Sequence, residues 1–173
     1  MDITGILTAI HDGWLGETVR DTAWIVPTLE TLHFMGLCTL FGSLMVIDLR
    51  MLGIARFIPM GPAMSFIPIA IGAFIVNLLS GIGFFCSDPF NYYPNLSFRI
   101  KMLLIVLAGL NAAWFQFIEA PKIKSLPPGT PTTLRIKVIA ALSLVLWIGV
   151  IVMGRMIPYL EDGSELFNSA SSL

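Results

Sequence analysis

The sequence predicts an all-α integral membrane protein: an up-and-down bundle of four transmembrane helices, preceded by a short N-terminal amphipathic interfacial helix. Three observations carry that reading. Hydrophobic residues fill 56% of 173 positions and charged residues only 12%, whereas soluble domains average about 25% charged. No Asp, Glu, Lys or Arg occurs in three stretches of 17 residues, between Glu30 and Asp48, Lys101 and Glu119, and Lys137 and Arg155. Clusters of proline, glycine and small polar residues separate the apolar runs.

The elements follow in order. Ile3, Ile6, Leu7, Ile10 and Trp14 recur at helical spacing within a segment 1–22, which reads as a helix lying on the membrane surface; an irregular terminus is the alternative. Asp2, Asp12 and Glu17 interrupt any signal-peptide core there. Four spans are expected at 23–47, 64–85, 98–117 and 134–157, making a transmembrane domain over 23–158 and a polar tail over 159–173. A 17-residue helix rises roughly 25 Å against a hydrocarbon layer of about 30 Å, so flanking charges must extend their stems toward water. "PMGP" (59–62), "SDPFNYYPN" (87–95) and "APKIKSLPPGTP" (120–131) are the expected breaks between spans. Trp24, Tyr92, Tyr93 and Tyr159 fall near the boundaries, where amphipathic rings settle.

Charge gives orientation and excludes some functions. Arg50, Arg56, Lys122, Lys124, Arg135 and Lys137 gather near the first and third connections, against Arg20, Arg99, Lys101 and Arg155 on the opposite side. That distribution predicts both termini outside. A net charge of −1 offers no basic surface for nucleic acid. No G-x-S-x-G, phosphate loop, H-E-x-x-H or C-x-x-C occurs, and Cys38 and Cys86 read as small apolar packers. Asp48 and Arg50 read as an end cap or a local ion pair, and Asn77, Asn111 and Gln116 as cavity lining or interhelical hydrogen bonds.

The chemistry concentrates in "ETLHFMGL" (30–37), where Glu30 and His33 share one helix face at i, i+3 spacing. An ionisable group at membrane depth needs a partner, water or a function; a polar clasp between helices is the plain alternative. With the charge-free gaps centred in the bilayer, His33 stands roughly 9 Å from the midplane and Glu30, Lys101 and Arg155 roughly 13 Å, on one side. Arg99 lies just above them. One imidazole beneath a carboxylate and three cations suits a haem: the imidazole ligates iron and the cations meet the propionates. Glu30 would accept the second imidazole N–H. Gly36 would leave bare backbone for a flat macrocycle, though helix packing accounts for it equally, as for Gly72, Ser80, Gly81 and Gly83. His11 is the only other histidine, so a five-coordinate iron or a site shared between protomers stays open.

"ETLHFMGLCTLFGSLMVIDLRMLG", "SFRIKMLLIVLAGLNAAW" and "LRIKVIAALSLVLWIGVIVMGR" resemble the first helix, a later helix that opens with a lysine, and the last helix of a bacterial four-helix membrane family related to copper-resistance protein D and the membrane protoporphyrinogen oxidase. The resemblance implies a haem b on His33, Lys101 as the oxidase's partner lysine, and a homo-oligomer in the bacterial inner membrane. The oxidase pattern has Pro before the Arg that ends its first helix. Here Leu49 precedes Arg50 and Asp48 adds a charge, so the likeness speaks for haem more than for oxidase activity.

The expectation is therefore a haem b protein of the inner membrane, with His33 as metal ligand. Glu30, Gly36, Lys101, Arg99 and Arg155 surround the cofactor, and Lys101 is the candidate catalytic residue. It would work in electron transfer or porphyrin redox chemistry near the outer leaflet, with a redox partner or porphyrin substrate. A copper or small-solute transporter and an oligomeric scaffold or channel subunit are the alternatives; scattered Met35, Met45 and Met102 make a poor copper path.

Overall fold

The computed structural model describes residues 3–160, and the polar tail expected beyond Leu160 lies outside them. Four stretches are helical, long and apolar enough to cross a membrane: Ile25–Leu52, Met60–Ser87, Leu96–Ile123 and Leu134–Tyr159. This is the architecture of a multi-pass membrane protein. Each stretch is longer than the sequence predicts, because helix continues through charges and prolines that read as stops.

The N-terminal segment forms two helices, α1 (Ile3–His11) and α2 (Trp14–Asp21), rather than one. Arg20 holds them by donating to His11 O at 2.7 Å and to Ser87 O at the end of the second stretch. The first span is α3 (Ile25–Leu52). It carries Pro27 in its first turn, where the missing N–H costs nothing. It ends at Gly53, whose φ of 85° lets its N–H reach Arg50 O while Ile54 N reaches Leu49 O.

"PMGP" does not break the chain from the second span but contributes α4 (Met60–Met64), leading into α5 (Ile67–Ser87). Both prolines at the start of these elements, Pro62 and Pro68, sit where a first turn has N–H groups to spare. Asp88 caps the short α6 (Pro89–Tyr92) by accepting from Asn91 N. Asn95 caps α7 (Leu96–Trp114) by accepting from Phe98 N at 3.1 Å, while its amide donates to Ile157 O and Leu160 O. One buried side chain thus ties the start of the third span to the end of the fourth.

Pro121 corrects the expected end of the third span at residue 117. The helix widens into a π-turn over Phe115–Glu119 and then continues as α8 (Ala120–Ile123). A proline ring collides with the carbonyl four residues back in a regular helix, and one wide turn relieves the clash without ending the element. The fourth span is α9 (Leu134–Met156), closing in a 3₁₀ turn over Ile157–Tyr159.

The spans pack in the spatial order α5, α3, α9, α7: α3 lies between α5 and α9, and α7 packs on α9. α5 and α7 follow one another in sequence but barely touch through their lengths. The bundle is therefore an arc with a seam between α5 and α7. At the end bearing the termini, called here the terminal end, Phe85 and Phe98 stack at 5.6 Å and close the seam. At the opposite, loop end the core is Ile47, Met51, Met60, Met64, Phe115, Ile136 and Ile139. Leu40, Ala70, Ala73, Ala108, Leu146 and Trp147 make a second cluster at mid-height. Phe34, Leu79, Leu103, Leu110 and Val145 point outward at 58–68% exposure. A surface that apolar suits lipid rather than water.

Candidate functional site

His33 sits on the face of α3 that packs against α5. Its Nδ1 lies 2.8 Å from Ser80 Oγ, and its ring meets Phe84 edge-on with centroids 5.7 Å apart. Ser80 Oγ also lies 2.8 Å from Val76 O, the usual back-bond of a serine in a helix. A hydroxyl has one proton. Ser80 Oγ lies 3.1 Å from Asn77 O as well, so its proton can serve an α5 carbonyl, with Nδ1–H donating to Ser80, or it can go to Nδ1. In the first arrangement Nε2 keeps its lone pair, and no hydrogen bond reaches Nε2 among the described residues. The ring edge at Cε1 lies over Gly81, where an added Cβ would stand 3.8 Å away.

Lys101 extends from α7 along Gly154 of α9, its Nζ 3.4 Å from where a Cβ on that glycine would be, and its charge reaches His33 across the bundle. Glycine at 154 makes room for the lysine stem. The imidazole and this cation are thus brought into one layer. The other expected charged members face outward. Glu30 and Arg99 are exposed. Arg155 is also exposed and lies over the Tyr159 ring, 5.5 Å from its centroid. Glu30 makes no hydrogen bond to His33; Ser80 fills that role, a partner that sequence reading classed only among small packing residues. In the 88–95 connection, burial first, then the Asp88 and Glu30 carboxylates, push the Tyr92 hydroxyl above its ordinary 10.0.

Gly36 lets α3 and α5 approach: an added Cβ would stand 2.6 Å from Asn77 Nδ2 and 3.3 Å from Ala73 O. The bare backbone expected beside a macrocycle is covered by Asn77, whose amide donates back to Ala73 O. His11 is held at the terminal end by Asp12, 2.8 Å from Nδ1, and by the Phe90 ring.

A second polar station lies at the loop end, and here the expected Asp48–Arg50 ion pair does not form. Residues two apart on a helix point to opposite sides. Arg50 is fully buried and donates to Ile58 O, Pro127 O and Thr130 O, stitching the 53–59 and 124–133 connections together. Thr132 adds a bond to Met51 O at 2.6 Å. Asp48 turns the other way, toward Ser143 of α9 and a cavity of about 360 Å³ between the helices. Glu119, at the end of the π-turn, is buried and pairs with Lys122 and Arg135 at 3.5 and 3.4 Å.

Among the described residues no group of three or more His, Cys, Asp or Glu side chains is placed to hold a metal ion. A single imidazole can still ligate a metal whose other ligands come from a macrocycle. Comparison with family models, with curated proteins and with solved structures finds no match for this chain.

Proposed function

We propose that the chain is a multi-pass protein of the bacterial inner membrane, both termini outside, that binds haem b through His33 and acts in electron transfer or porphyrin redox chemistry. The observation that carries this reading is the His33 ring itself. With Nδ1–H donating to Ser80, Nε2 would keep a lone pair with which His33 would hold the haem iron. Lys101 is the cation best placed to meet a propionate, since its charge already reaches the imidazole. Arg99 and Arg155 are exposed at the same end.

The donor fits; the space is more demanding. Asn77 fills the flank of α3 at Gly36, and the 360 Å³ cavity is lined on α3 only from Leu40 downward. A macrocycle held by His33 would therefore need the outer flank of the bundle, with a second copy of the chain to cover it. Phe34, 68% exposed, supplies apolar surface for such a contact. Bound haem would supply one-electron redox chemistry. The chain's own part is to orient the ring, exclude water and balance charge.

An absorbance spectrum of freshly purified protein, oxidised and reduced, is the direct test. A Soret band that disappears in His33→Ala is expected, with iron in the metal analysis. Colourless protein, or a band untouched by the substitution, overturns the assignment; copper in place of iron moves the chain to the transport reading.

A further inference from the structure

The cavity beside Asp48 is separate from the His33 layer. It lies in the seam between α5 and α7, below the point where Phe85 and Phe98 close that seam. Its walls are mainly apolar, among them Leu44, Phe74, Ile105 and Trp147, and the π-turn contributes Phe115 and Gln116. Because the two helices barely touch there, the opening faces sideways, toward where lipid would be.

Asp48 lines this space at 3% exposure, and its Oδ2 is buried with no hydrogen-bond partner among the described residues. Leaving such an oxygen without a donor costs the full desolvation of the group. The protein has spent its nearby donors elsewhere. Arg50, two residues on, gives its guanidinium to backbone carbonyls, and the Asn111 amide donates to Ile139 O at 3.1 Å. Among the described residues, the Ser143 hydroxyl is the donor that approaches the carboxyl, from α9. Phe74 and Trp147, packed edge-on at 6.3 Å, add the aromatic walls that attract a cation.

We infer that this cavity binds a lipophilic amine, entering between α5 and α7 with its ammonium donating to Asp48 Oδ2 and its apolar body against Phe74, Ile105 and Trp147. An ammonium supplies both the missing donor and the missing counter-charge, whereas a hydroxyl supplies the donor alone.

The test uses the full chain in lipid nanodiscs, titrated with pyrenemethylamine and read by energy transfer from tryptophan. Saturable binding is expected, at least about tenfold weaker for Asp48→Asn and for the neutral isostere pyrenemethanol. Gly109→Phe fills the cavity from a lining position where an added Cβ meets nothing within 4 Å, and it should block the amine. Equal binding by Asp48→Asn, equal binding of amine and alcohol, or no saturable binding overturns the inference. Should Asp48→Asn fail to fold, the amine–alcohol ratio and Gly109→Phe decide alone. His33→Ala should leave amine binding unchanged, so failure here is distinct from failure of the haem reading.

Discussion

At the loop end of α3, Arg50 is fully buried and satisfied by three carbonyls; at the terminal end, Glu30 is exposed and His33, among the described residues, has one hydroxyl partner and a nitrogen without one. Both ends place ionisable groups near the limit of an apolar helix, yet they use them differently. The guanidinium is spent on architecture, holding two connections to one point. The imidazole keeps one nitrogen unspent. Asp48, one turn above the loop end, is the intermediate case: as buried as structural residues are, but with an oxygen left without a partner among the described residues. A buried polar residue is read as structure or as site by counting its unused bonds, not by its type.

The largest effect should come from Arg50→Met. It strips donors from the Ile58, Pro127 and Thr130 carbonyls and frees the 53–59 and 124–133 connections. A loss of about 3 kcal/mol is expected in thermal unfolding of the detergent-solubilised protein. A midpoint equal to wild type would break the contrast between the ends.

Gly36→Leu comes next. Its Cβ alone would stand 2.6 Å from Asn77 Nδ2, so α3 and α5 must part or Asn77 must move. Overpacking of this kind costs about 1–3 kcal/mol. The same separation should disturb the His33–Ser80 bond, which sharpens the comparison: a stability loss without any change at His33 would show that the two are uncoupled.

Tyr92→Phe, at the terminal end, should have the smallest effect at neutral pH. Burial, with Asp88 and Glu30 nearby, raises the phenol above its ordinary 10.0, so the folded state holds this proton more tightly than the unfolded chain. The resulting stabilisation is present in full below pH 10.0 and is lost as pH rises through the folded value. Wild type should therefore lose its advantage over Tyr92→Phe only in alkaline buffer, as read from the difference between their unfolding midpoints. A constant difference from pH 7 to 11 would contradict the raised value.

Composition and spacing alone determined that four apolar helices form, that short connections join them, and that His33, Lys101, Glu30 and Arg155 lie toward one end. Helix number and depth depend on local runs of residues, which a sequence displays directly. Tertiary structure decided the rest. It showed that Pro121 is absorbed by a π-turn, that Arg50 and Asp48 part company, that Ser80 rather than Glu30 holds the imidazole, and that Asn77 covers Gly36. It also revealed the seam between two helices adjacent in sequence. These outcomes turn on which face of each helix meets which neighbour. In spans apolar on every side, hydrophobic periodicity carries almost no record of that choice.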